Sequence, residues 1–100
     1  SNYCSLTARQ GLGVAQIDAD GILICGGYTG KFTNDSFYLN VGTRKMVKTE
    51  KQLPTEIFPF AVPTLGEVAN NVAYTVDWSK FRMYRFKDNA WSMVASFKDK

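Results

Sequence analysis

Apolar residues occur in short runs of four to six, and each run closes on a turn signal. Residues spaced i, i+3, i+4, i+7 on one apolar face are absent, so the pattern predicts strands rather than helices. Leu12 to Ile17 leads into Asp18-Ala19-Asp20-Gly21, then Ile22 to Cys25, then Gly26-Gly27. Asp20-Gly21 between apolar runs predicts a tight hairpin, because a type I′ turn needs the positive φ that glycine supplies. Phe37 to Val41, a Gly42-Thr43 turn and Met46-Val47 complete four strands within the first half.

The second half repeats the scheme. A shift of 51 positions lays Ile17 on Val68, Asp20 on Asn71, Ile24 on Thr75 and Cys25 on Val76. Asn70-Asn71 then takes the place of the Ala19-Asp20 turn. Val72 to Val76 reads as the second strand, Met83 to Phe86 as the third and Trp91 to Val94 as the fourth. Leu53-Pro54 and the Pro59 to Pro63 stretch separate the copies, since proline lacks the donor a ladder needs. Four strands in each of two repeats of about 50 residues imply blades of a β-propeller.

Particular residues sharpen the reading. Ile22-Leu23-Ile24-Cys25 runs into Gly26-Gly27, and an aromatic third strand, Phe37-Tyr38-Leu39-Asn40, follows. Thr43, Met46 and Leu53-Pro54 come next. This order resembles the kelch repeat, with Met46 where that family carries Trp and Asn40 where it often has Asp. The second copy is degenerate: it keeps Tyr84-Arg85-Phe86 and Trp91 but has Asp77-Trp78 in place of Gly-Gly. The fold expected is all-β, two four-stranded antiparallel blades of a kelch-type β-propeller, incomplete as a ring. Residues 1–54 would form the first blade with the tail of a preceding segment, and residues 55–100 the second. Gly26, Gly27, Phe37, Tyr38, Met46, Tyr84 and Trp91 are the structural motif positions. Beside the glycine pair, Phe37 or Leu39 together with Met46 is expected to fill the space left by the missing Cβ atoms.

Two blades fall short of a closed ring of about four to eight, and each repeat needs a neighbour against its second face. Further blades or self-association are therefore expected. Ser1-Asn2-Tyr3 has neither a basic nor an apolar leader character and no initiator Met, and reads as an artificial or processing boundary or as the interior of a longer protein.

Composition narrows the function classes. The chain is 45% hydrophobic and 21% charged, which is globular rather than disordered. Its net charge of +3 is scattered, with Arg44-Lys45, Lys48 and Lys51 as the nearest thing to a basic run. That is too sparse for a nucleic-acid stripe. No run approaches the ~18–20 apolar residues of a membrane span. Cys4 and Cys25 form no disulfide framework; Cys25, within an apolar run, reads as a buried inert thiol and points to a reducing, cytoplasmic setting.

Catalysis is not expected from these residues. The chain has no histidine, hence no imidazole base and no common metal ligand. A copper site of the galactose oxidase kind would need imidazole donors. Gly11-Leu12-Gly13 is too short for a phosphate loop and reads as a flexible strand entry. Asp18 and Asp20 share a turn; Asp35, Asp77 and Asp88 close strands; Glu56 and Glu67 flank the linker. Asp77, beside Trp78, reads either as part of a carbohydrate subsite or as a substituted position with a satisfied hydrogen bond. No catalytic, cofactor or metal residue is assigned.

Up-and-down strand order puts the loops after the second strands, and the linker, on one face. Tyr28, Lys31, Phe32, Asn34, Phe58, Phe60, Trp78 and Lys80 are the candidate partner-binding residues, since aromatics beside cations on loops resemble interaction hot spots. The alternative for the aromatics is that Phe32, Phe58 and Phe60 pack down as loop anchors. The resemblance implies a non-catalytic interaction module or scaffold that docks a protein partner on this loop face. The alternative is part of a propeller enzyme, galactose-oxidase-like or glycosidase-like, with its catalytic residues on other blades.

Overall fold

Eight strands form two four-stranded antiparallel sheets in a computed structural model that describes residues 7–59 and 64–97. Cys4, Phe60 and Pro63 lie outside the described residues. The first sheet holds β1 (Gly13–Asp18), β2 (Gly21–Cys25), β3 (Ser36–Asn40) and β4 (Lys45–Lys48) in chain order. The second holds β5 (Leu65–Glu67), β6 (Val72–Asp77), β7 (Arg82–Lys87) and β8 (Ala90–Ser96). No helix among the described residues is long and apolar enough to cross a membrane.

Register makes the two sheets counterparts. Ile22 pairs with Leu39 and Leu39 with Met46, while Ala73 pairs with Phe86 and Phe86 with Trp91. Met46 and Trp91 therefore hold equivalent places. The constant shift of 51 fails at the first hairpin of each unit. Asp18 pairs with Gly21 across two residues, whereas Glu67 pairs with Val72 across four. The first of these turns also forms without a positive φ, contrary to the expectation for Asp20-Gly21. Asp18 Oδ1 accepts from the Asp20 amide at 2.9 Å and closes the turn itself. Gly21 already belongs to β2, where the Tyr38 ring occupies the space a Cβ would need.

The core lies between the sheets. Alternation along the strands sends Ala15, Ile17, Leu23 and Cys25 of the first sheet towards Ala73, Tyr84, Phe86 and Trp91 of the second. Trp91 is 1% exposed, packs at a tilt with its ring 5.4 Å from that of Phe86, and donates its indole N–H to Ser36 Oγ at 2.8 Å. That bond spans the two sheets and satisfies two buried polar groups at once. At the inner edge, β5 approaches β1 so closely that a Cβ on Gly66 would meet the Gln16 carbonyl oxygen. In β8 a bulge sets Met93 opposite Tyr84 and Ala95 opposite Met83, leaving Val94 unpaired.

The segment after β4 returns along the first sheet instead of leaving it. Thr49 N–H donates to Ser36 O, Leu53 N–H to Asn34 O and Ile57 N–H to Thr33 O. Leu53 and Ile57 are buried at 2% and 1% and join the core. Gly26 and Gly27 do carry positive φ, 66° and 112°. The space beside them is not filled by Phe37, Leu39 or Met46. Ile57 Cγ1 lies 2.8 Å from the Cβ position of Gly26, and Arg9, Gln10 and Leu12 surround that of Gly27. The pair thus makes room for the returning segment and for the chain before β1.

Candidate functional site

One end of the two sheets collects the β2–β3 loop, the returning segment and the β6–β7 turn. The loop is tied down by backbone pairs: Tyr28 N–H and Gln10 N–H exchange bonds with each other's carbonyls, and Thr33 pairs with Ile57. Asn34 Nδ2 donates to Leu53 O at 2.9 Å, so this residue anchors the returning segment. Tyr28 meets Phe32 edge to face at 5.2 Å, and Phe32 lies 5.5 Å from Phe58. Trp78, 53% exposed, packs beside Phe81 at 5.4 Å. Lys80 Nζ donates to Thr55 Oγ1 at 3.3 Å, which ties the β6–β7 turn to the returning segment.

These elements enclose two adjoining hollows. The wider, about 710 Å³, is lined by Lys31, Phe32, Asn34, Glu56 and Lys80 from three different segments, with Arg9 in its wall. The smaller, about 130 Å³, is lined by Phe32, Phe58, Trp78, Glu56, Asp77, Ile57 and Ser79. Of the eight residues expected to bind a partner, six line one or both hollows and Tyr28 stacks on one of those six; Phe60 lies outside the described residues. Phe32 is half exposed, while Phe58 is drawn further in.

Two residues that matter here carried no motif. Arg9 keeps only 4% of its side chain exposed; it pairs with Asp35 Oδ2 at 3.5 Å, donates to Gly26 O and Thr33 Oγ1, and lies over the Phe37 ring. It precedes the first strand, where neither periodicity nor repeat points to it. Glu56 stands in a proline-flanked linker and joins the site only because that linker folds back. Asp77 is 2% exposed, and the hydrogen bonding expected of a substituted position is present on one of its two oxygens. Its Oδ1 accepts from the Ser79 amide at 3.2 Å and the Ser79 hydroxyl at 2.9 Å, whereas Oδ2 is buried without a partner.

No family model and no curated protein matches this chain. The site must therefore be read from its own chemistry. Among the described residues no three His, Cys, Asp or Glu side chains gather as metal donors. The Tyr38 hydroxyl donates to Asp18 Oδ2 at 2.9 Å, and partial desolvation together with that bond and the nearby carboxylate charges pushes its pKa upward.

Cys25 sits in the core, away from both hollows. Burial pushes its thiol from an ordinary 9.0 up to about 12, against smaller opposing contributions from Thr75, the Gly13 backbone and Thr64. The folded thiol stays protonated and unreactive. Peptide-resolved iodoacetamide labelling at pH 8 should therefore modify Cys25 only after denaturant is added. The raised folded pKa also means that the folded state holds its proton more tightly than the unfolded chain. Its contribution to stability is full below pH 9 and falls as pH rises towards 12.

Proposed function

We propose that these two sheets are consecutive kelch-type propeller blades and that the chain serves as a non-catalytic docking module for a protein partner. The observation that carries this reading is the convergence of three separate segments at one end of the sheets, where exposed Lys31, Phe32, Trp78 and Lys80 line two adjoining hollows. Aromatic side chains give large contact area at small entropic cost, and loops held by a rigid scaffold are the usual place for recognition. The kelch assignment draws on the equivalence of Met46 and Trp91 and on the positive-φ glycine pair closing β2. On this reading the outward face of the first sheet, with Val14 52% exposed, and that of the second, with Leu65 62% exposed, are covered by further blades or by self-association.

Alanine at Tyr28, Lys31 and Trp78 together tests the docking face. These side chains lie at the surface, so the melting temperature should stay within about 3 °C of the parent chain. Quantitative crosslinking of parent and variant to the proteins that co-purify should show loss of one specific set in the variant. An unchanged set of crosslinked partners would reject docking at this face.

A further inference from the structure

The smaller hollow has an unusual composition for its size. Three aromatic side chains, Phe32, Phe58 and Trp78, line it together with two carboxylates, Asp77 and Glu56, and among the described residues no basic one does. Arg9, Lys31 and Lys80 line the wider hollow next door, which Glu56 shares, and Arg82, opposite Asp77 in the β6–β7 register, lines neither. Asp77 is the key group. It is 98% buried, both Ser79 bonds fall on Oδ1, and Oδ2 has no hydrogen-bond partner. A buried carboxylate oxygen left unmatched is costly, because it has lost its water and gained no donor in exchange. In a residue that lines a cavity, such an atom points to a donor that arrives with a ligand.

We propose that this hollow is a socket for the ammonium group of a lysine side chain on the docked partner. The class of ligand follows from three constraints. At about 130 Å³ the space holds roughly four waters' volume, well below the ~300 Å³ at which small-molecule pockets begin. It therefore takes one side-chain head rather than a whole ligand. Two carboxylates that form no ion pair among the described residues call for positive charge, and aromatic walls favour a cation through their ring quadrupoles. Oδ2 further requires an N–H donor, which a primary ammonium supplies on a slim alkyl stem. A trimethylated ammonium keeps the charge but has lost the donor; an acetylated lysine has lost the charge. The socket should rank the three in that order.

This inference rests on partner docking at the loop face, yet its test needs no partner. Nα-acetyl-lysine methylamide, its Nε-trimethyl form and its Nε-acetyl form are titrated into the full chain, with tryptophan fluorescence as the readout for exposed Trp78. The unmodified lysine probe should bind best, the trimethyl form several-fold more weakly and the acetyl form not detectably. Asp77→Asn should weaken the lysine probe by about tenfold or more, the worth of one charge-assisted bond. Thermal melting verifies that the variant folds; should it not, the ranking of probes on the parent chain decides alone. Equal response to the acetylated probe, undiminished binding by folded Asp77→Asn, or no response to any probe would overturn the socket. Partner crosslinking can survive that failure, and probe binding can survive loss of the partner, so the two readings fall separately.

Discussion

Replacing Trp91 with alanine should destabilise the chain by about 3–5 kcal/mol, the usual cost of truncating a fully buried tryptophan. For a domain of this size that lowers the melting temperature on the order of 15–30 °C. The loss has two parts that can be separated. Trp91→Phe keeps an aromatic ring beside Phe86 but removes the N–H that reaches Ser36 Oγ at 2.8 Å. Ser36 is fully buried, so its hydroxyl would be left short of a partner, at a cost of about 1–3 kcal/mol. Adding Ser36→Ala to Trp91→Phe should then recover part of that cost, because an apolar pair needs no hydrogen bond. Urea denaturation of the three variants gives the comparison. If Trp91→Ala stayed within about 1 kcal/mol of the parent, the sheets would not be joined through this residue.

Gly66→Ala should be nearly as damaging although it adds a single methyl group. The new Cβ would fall on the backbone carbonyl oxygen of Gln16, 2.9 Å from its carbon and 3.3 Å from Ala15 Cβ. A flexible side chain could swing away from such a contact; a strand backbone cannot. The sheets must part at their inner edge, and the core contacts beyond are loosened with them. Overpacking commonly costs about 1–3 kcal/mol, and a backbone obstacle places this change at or above the upper end. Gly42→Ala is the matched control. Gly42 lies in the exposed β3–β4 turn without a positive φ, and its nearest neighbour is Asn40 Oδ1 at 3.3 Å. That substitution should change stability by no more than about 0.5 kcal/mol. Denaturant midpoints for the two variants, at unchanged slope, decide the matter.

Much of the architecture was legible in the sequence because burial on one face leaves a period that residues must obey. β2 and β6 stood out as apolar runs, and β3, β7 and β8 followed from aromatic residues bounded by turns. β5 was hidden. Its three residues are all exposed, so no apolar pattern marks them; proximity to β1 and pairing to β6 define the strand. Turn chemistry was the second source of error. Besides Gly11, Gly26, Gly27 and Gly30, positive φ falls on five residues that are not glycine, Arg44, Asn71, Phe81, Asp88 and Asn89, while the expected Asp20-Gly21 position avoids it. Asp88-Asn89, with two consecutive left-handed residues between Lys87 and Ala90, has the turn geometry expected for Asp20-Gly21, whereas the equally short Ala19-Asp20 hairpin forms without it.

At the site, the loop aromatics and lysines could be named in advance because up-and-down topology alone sends their loops to one end. What sequence could not supply was the partition of charge. The separation of Arg9, Lys31 and Lys80 from Asp77 into neighbouring hollows, with Glu56 on the border of both, depends on the linker doubling back through Leu53 and Ile57. That path is set by hydrogen bonds to β3 and its preceding loop, which no local pattern announces. The Gly26-Gly27 pair was recognised for its position and misread for its purpose, since its neighbours come from distant parts of the chain.

The unpaired Val94 bears on how the chain avoids clumping. β4 guards its free border with Lys45 and Lys48, but β8 runs seven residues without one charge. A flat, neutral border of that length invites strands from other molecules to zip on and seed fibrils. Its kink interrupts the row of outward-facing amides midway, so an incoming strand could match only half the border before falling out of step.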